Sequence, residues 1–318
     1  MNRHDAAQAP IVIFGEALVD DFITEQVVGG APFNVARNLA AFGNAPRMIT
    51  RIGQDKAATL VREQFQRFGL CEAGLQADPD EATGRVVVER GAGEHRFIIL
   101  PGQAYDQIDP AAALAAADCA PATIYFGTLA QRSSRSREAL RAVLAASGAT
   151  RYLDLNVRSG QVSERCVFES LHEADIVKVN EEELQDLFSW YTHTRHDTAD
   201  MASSAVRTAC AALMRIFSLQ GLIVTLGARG SVYFDAGGGA IESASNSASA
   251  AAPPRIVDTV GAGDAFSAIF LLGRERGWDL HLTLARANEF AAAICTIAGA
   301  VPADPVFYAP YRARWLSD

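Results

Sequence analysis

The chain has 318 residues, of which 49% are hydrophobic and 20% charged, the balance of a globular protein with a large core rather than a disordered one. Lys plus Arg number 28 against 37 Asp plus Glu, and the net charge of −9 argues against non-specific binding to nucleic acid or an anionic membrane, while leaving room for a local pocket for a phosphorylated ligand. Cys71, Cys119, Cys166, Cys210 and Cys295 are odd in number and widely spaced, with no CxxC pair, which excludes a disulfide framework or structural zinc site and fits a reducing compartment. The N-terminal MNRHDAAQAP has no apolar stretch behind its charges, and no apolar run reaches the roughly 18 residues of a membrane span, so a cytoplasmic protein is expected.

The apolar run Ile11–Phe14, closed by Gly15, predicts a buried strand. Beyond Gly29-Gly30-Ala31-Pro32, Val35, Leu39 and Phe42 recur at helical spacing and stop at Gly43. Residues 48–52 predict a strand, and residues 60–68 an amphipathic helix ending at Gly69. Two short strand-like runs, 85–89 and 96–100, flank Gly91-Ala92-Gly93 and predict a β-hairpin. From about Ala111, helical stretches separate strands at 123–126, 152–155, 176–179 and 222–226, the alternation of βαβ units with a mostly parallel, doubly covered sheet. Ligands sit beyond the carboxyl ends of such strands. Residues 236–254 are low in complexity and predict a surface connection around a weak strand. Two helices follow, one opening at Gly263 and closing near Gly277, the other opening after Asp279 and running to about Gly299.

The sharpest chemical feature is DTVGAGDAF, residues 258–266. Its small residues let backbone approach a ligand, and the N–H groups of Gly261, Ala262 and Gly263 can converge on an anion at the positive end of the helix. Asp264 stands at the same point, and a carboxylate beside an anion hole suits removal of a proton from a hydroxyl attacking a phosphoryl group. A capped helix with a glycine turn would need the same residues, so the rest of the chain decides. Along GEALVD, residues two apart share a strand face, so Glu16, Leu18 and Asp20 are expected to point one way, with Asp21 on the solvated side. Asn34 and Asn38 stand four apart on one helix, so both are expected to face the pocket.

DTVGAGDAF resembles the C-terminal motif of the ribokinase-like, or PfkB, carbohydrate kinases, and Gly29-Gly30-Ala31-Pro32-Phe33-Asn34-Val35-Ala36 resembles their N-terminal motif. The likeness runs from Ile11 to about Pro302 and implies a single ribokinase-like α/β domain over residues 1–318, with a small β-sheet lid built from segments 20–30 and 83–106. It implies Asp264 as general base, with Gly261, Ala262 and Gly263 as the anion hole. Asp20, Gly30 and Asn34 would meet the sugar, with Arg158 of the DLNVR segment placed for sugar or phosphate. Thr225, Gly227 and Gly230 of TLGARG would line the nucleotide site, and Asn288 would approach the adenine. Asn180 and Glu183, in the family's NxxE pattern, would hold magnesium through water. Asp258 and Val260, with carbonyls around Ala298, match a monovalent-cation site, which implies possible potassium activation. A homodimer through the lid is a further expectation.

Two departures stand out. The segment between Asp20 and Gly29 is short for the family, which puts a full lid in question, and Phe33 is bulky where small residues are frequent, so it would narrow the pocket or stack on a sugar face. The leading expectation is an ATP-dependent kinase of fructose or a related ketose, in the fructokinase-like branch. A kinase for 2-keto-3-deoxygluconate, ribose or a nucleoside is the alternative. A non-catalytic sugar or nucleotide sensor would be expected to lose the base or the anion-hole glycines, and both are present. A dinucleotide-binding dehydrogenase lacks support, since no GxGxxG follows the first strand.

Overall fold

The computed structural model describes residues 9–22, 25–90, 95–244 and 255–316. In chain order, β1 (Ile11–Phe14), β2 (Leu18–Asp21) and β3 (Gln26–Gly29) lead into α1 (Ala31–Ala41), β4 (Arg47–Ile52), α2 (Lys56–Arg67) and β5 (Leu75–Ala77). The hairpin β6 (Gly84–Arg90) and β7 (His95–Ile99) follows, its connecting residues 91–94 lying outside the described residues. Next come α3 (Pro110–Ala117), β8 (Thr123–Phe126), α4 (Ser134–Ala145), β9 (Thr150–Asp154), α5 (Glu164–Glu173), β10 (Ile176–Asn180) and α6 (Glu181–Leu187). The chain then forms α7 (Ser204–Phe217), β11 (Gly221–Thr225), β12 (Ser231–Asp235), β13 (Ala240–Ser243), α8 (Ala262–Arg276), α9 (Leu280–Ile294) and α10 (Ala309–Trp315).

Nine strands form the main sheet in the order β13-β12-β11-β10-β9-β8-β1-β4-β5. All neighbours from β11 to β5 pair in parallel, and β12 and β13 add antiparallel at one edge. The period of two divides each strand between two cores. Val12 and Phe14 join Ile124, Phe126, Val177 and Val224 on one face, under α3, α4, α5 and α7. Ile11 and Ile13 join Tyr125, Tyr152, Ile176 and Ile223 on the other, under α1, α2, α8 and α9. Burial on both faces is why these strands read as continuous apolar runs rather than alternating ones.

The predicted hairpin is present, and it belongs to a separate four-stranded sheet of order β3-β2-β6-β7. β1 ends at Phe14, and Gly15 (φ 150°) turns the chain before β2 begins in the small sheet. Glu16 is therefore not on a strand with Leu18 and Asp20. The second late helix stops at Ile294 rather than near Gly299, with Cys295, Thr296 and Ile297 closing tight turns onto it. Of the low-complexity stretch, β13 supplies the weak strand, and residues 245–254 lie outside the described residues.

Phe42, fully buried at the end of α1, meets Phe290 at 5.0 Å, Tyr308 at 5.5 Å and Trp315 at 5.7 Å between ring centroids. This cluster ties α1, which carries site residues, to α9 and α10. Phe42→Ala is expected to lower unfolding free energy by about 3–5 kcal/mol, read by urea denaturation. A loss below about 1 kcal/mol would show that the cluster does not anchor α1.

Candidate active site

A cavity of about 850 Å³ opens beyond the carboxyl ends of β1, β9, β10 and β11, between the two sheets. Asp20, Gly30, Asn34, Arg158, Asn180, Glu183, Thr225, Gly227, Val260, Gly261, Gly263 and Asp264 all line it, although they come from segments more than 200 residues apart. Ala262, Gly230, Asp258 and Asn288 do not line it.

At one end stands the start of α8. Gly261 occupies the left-handed region (φ 79°), and a Cβ there would lie 2.4 Å from Ala300, so the tight approach requires glycine. The Ala262 N–H is engaged with the Thr259 carbonyl at 3.3 Å, unlike those of Gly261 and Gly263, which have no hydrogen-bond partner among the described residues. The expected three-donor anion hole is thus reduced by one in this conformation. Asp264 Oδ2 accepts a hydrogen bond from Asn34 Nδ2 at 2.7 Å. The buried Arg37 guanidinium donates to Asn34 Oδ1 at 2.5 Å and to the Val28 carbonyl at 2.9 Å, which turns the amide so that its NH₂ faces Asp264. Burial pushes the Asp264 carboxyl up to about 6, opposed first by the Asn34 hydrogen bond.

Beneath α8 lies a buried polar cluster. Lys178 Nζ, on β10, donates to both oxygens of Asp154, on β9, at 2.8 Å. Asp154 Oδ2 also accepts from Ser267 Oγ of α8 at 2.8 Å and from the Tyr125 hydroxyl of β8 at 3.2 Å. One carboxylate therefore ties three central strands to the helix that carries Asp264.

The other end of the cavity belongs to the small sheet. Asp20 on β2 is raised to about 6 by burial, with Arg158 and Arg37 pulling it back. Gly30 (φ 102°) packs against the Glu16 backbone, where a Cβ would come within 2.5 Å of the carbonyl oxygen. Glu16 itself is buried, and loss of water pushes its carboxyl to about 7. Its Oε2 has no hydrogen-bond partner among the described residues. Glu16, Leu18 and Asp20 do share the cavity, by convergence of two sheets rather than along one strand. Asp21 is ion-paired with Arg85, not merely solvated. Asn38 is fully buried behind α1, accepting from the Tyr308 hydroxyl at 2.8 Å, so it does not face the cavity. Phe33 is fully buried and stacks on Phe65 at 5.1 Å, so it neither narrows the pocket nor meets a sugar.

At the mouth, Thr225 ends β11 and the turn at Gly227 follows it, beside the Arg229–Glu181 ion pair (2.6 Å). Asn180 and Glu183 form a capping box: Asn180 Oδ1 accepts from Glu183 N at 2.8 Å, and Glu183 Oε2 from Asn180 N at 2.9 Å. Glu183 Oε1 accepts from Val157 N at 2.7 Å, and the side chain is buried, which raises its carboxyl above the ordinary value. It is not a solvated helix start. Asp258 accepts backbone N–H groups of Val260 (3.0 Å) and Gly299 (3.1 Å). Asn288 donates to the Ser243 carbonyl at 2.9 Å, holding α9 to β13 outside the cavity.

Residues 6–306 match the model of the pfkB family carbohydrate kinases. The chain belongs to that family. A fructokinase of Vibrio alginolyticus is 28% identical over 92% of this chain and 95% of its own. An aminoimidazole riboside kinase of Salmonella typhimurium is 29% identical over 94% of this chain and 93% of its own. Among solved structures, a double-mutant fructokinase of Vibrio cholerae O395, in a fructose, ADP and potassium ion bound form, superposes with TM-score 0.72 at 24% identity over 95% of this chain and 98% of that one. The fold is that of the ribokinase-like kinases.

Lys178, Ser267, Arg37 and Glu16 are the site residues that sequence reasoning left unassigned. A lysine inside the apolar run IVKVN was the available sign for Lys178, since a charge in a strand buried on both faces needs a partner. Asn34→Ala removes the donor that favours ionised Asp264. The acidic limb of kcat/KM, expected near pH 6 in the wild type, should move up by about one pH unit. An unmoved limb would show that the pH profile does not report Asp264.

Proposed function

We propose that this PfkB-family kinase transfers the γ-phosphoryl group of ATP to a hydroxyl of fructose or a closely related ketose. The observation that carries the reading is a desolvated carboxylate, Asp264, at the amino end of a helix and inside a cavity whose far wall holds Asp20 and Arg158. Asp264 takes the hydroxyl proton, and N–H groups at the start of α8 stabilise charge on the transferring group. Asp20 accepts sugar hydroxyls, since an ionised carboxylate offers several acceptor sites. Glu16, Asp20 and Asp264 line the cavity with Arg158 as the cation nearest the sugar end, a lining that favours a neutral polyol over a sugar acid. Gly30 and Asn34 complete the sugar wall.

Thr225, Gly227 and Gly230 shape the nucleotide side, and the family role expected of Asn288 is limited here to supporting that wall. The Asn180–Glu183 box fits a magnesium ion carried by nucleotide phosphates: each Glu183 oxygen holds one N–H and keeps capacity to accept from the ion's waters. When bound, such an ion offsets charge on the phosphates. Asp258 and Val260 outline the potassium site through their loop. The small sheet acts as a lid that excludes water, and pairing of two lids gives a homodimer.

Magnesium-ATP should release ADP with fructose faster than with 2-keto-3-deoxygluconate, ribose or nucleosides, and replacing potassium with tetramethylammonium should slow it. Asp264→Asn should lower kcat by about 100- to 10,000-fold while ADP binding persists. Preference for the sugar acid or a riboside would reassign the substrate, and near wild-type turnover in Asp264→Asn would remove the base assignment. Asp20→Ala should raise the sugar KM by about 10-fold or more with the ATP KM little changed. An unchanged sugar KM would place the sugar elsewhere.

A further inference from the structure

The chain contains only two lysines, Lys56 and Lys178, so 26 of its 28 cationic residues are arginines. Lys56 opens α2 and is exposed. Lys178 is buried, with 7% of its side chain exposed, and lines the cavity. A chain that places arginine nearly everywhere else has a compact ammonium here, where a planar guanidinium would need more room and a different fork of partners.

The ammonium lies directly under the first turn of α8: a Cβ built on Gly263 would sit 3.3 Å from Lys178 Nζ. Two of its three protons go to the oxygens of Asp154, and the third has no hydrogen-bond partner among the described residues. Asp154 is itself fixed by Ser267 and Tyr125, so the carboxylate that holds the ammonium is anchored on its far side. A buried ion pair adds little to stability compared with an apolar pair of the same shape. Its position at the wall between Asp264 and Glu183 is what needs explaining.

We propose that Lys178 is a catalytic residue whose ammonium donates a hydrogen bond to a non-bridging oxygen of the phosphoryl group in transit, with Asp154 as its positioning residue. The proposal rests on the kinase reading above. The sugar oxygen forms its bond to phosphorus, the bond from phosphorus to the ADP oxygen breaks with its electron pair leaving on ADP, and the hydroxyl proton goes to Asp264. Lys178 keeps its proton throughout. Its contribution is directed charge that grows in worth as negative charge spreads over the equatorial oxygens.

The test removes both charges together, in Asp154→Asn/Lys178→Met, so that no orphaned charge is left in the core. The expected result is unchanged circular dichroism, with ADP affinity and fructose KM within about threefold. kcat falls by about 100- to 1,000-fold. The complex with ADP and aluminium fluoride, a mimic of the phosphoryl in transit, weakens at least about tenfold. A purely structural pair would leave kcat and mimic binding near wild type, or weaken ADP and mimic equally, and either result overturns the proposal. A measurement on the wild type is independent of how the variant folds. Enzyme labelled with ¹⁵N at lysine Nζ carries two ammonium groups, and ADP with aluminium fluoride should move the Lys178 resonance and leave that of Lys56 in place. An unmoved Lys178 resonance overturns the proposal. Failure of the fructose assignment would show separately, as wild-type silence on fructose with the resonance still moving.

Discussion

Carboxylates withdrawn from water organise this molecule. Glu16, Asp20, Asp154, Glu183 and Asp264 all stand at the ends of strands or helices around one cavity, and each is held differently. Asp154 is matched by an ammonium and two hydroxyls, and Glu183 by two backbone N–H groups. Asp264 is met by one side-chain amide, which offsets only part of the burial that pushes its carboxyl up to about 6. The gradient from fully matched to barely matched separates Asp154, which holds the scaffold, from Glu16 and Asp264, whose carboxyls burial pushes toward neutral pH.

That gradient depends on the parallel sheet. Parallel strands bring several carboxyl ends to one edge, and crossover helices bury both faces, so polar side chains at that edge are dry on three sides. β9 and β10 pair in register with Lys178 opposite Asp154, which is why two residues 24 apart in the chain form one ion pair. Arg37 does the same service for Asn34 from one turn along α1, and its guanidinium lies over the Phe33 ring at 4.9 Å.

Much of this was legible in the sequence, for a physical reason. Strands buried on both faces are apolar runs, and the glycines of residues 258–263 are demanded by backbone contacts no other residue permits at Gly261. The alternation of strand and helix therefore gave the fold class, and the glycine-rich turn marked the place of Asp264. The errors have a common origin in assuming that neighbours in sequence share an element. Glu16 and Asp20 do not share a strand: the turn at Gly15 sends the chain from one sheet to the other, and Glu16 lies in the crossing before β2 begins at Leu18. Asn38 and Phe33 follow Asn34's helix but rotate into the core, because only one face of α1 meets the cavity. The lysine in IVKVN showed only that a buried charge needs a partner; that the partner is Asp154, on another strand, is a matter of strand register, a tertiary fact.

The division of labour between the two sheets has an evolutionary consequence. Asp264, Lys178 and Glu183 are fixed to the large sheet and its helices, whereas Asp20 rides on β2, a strand of four residues in the small one. Gly15 and Gly30 bound the segment that carries it, both with backbone angles that favour glycine. On the proposed function, phosphoryl chemistry and sugar recognition are written on separate pieces of chain. Drift in a handful of residues between those two glycines would then retune which sugar is taken, while the machinery that moves phosphate is inherited unaltered.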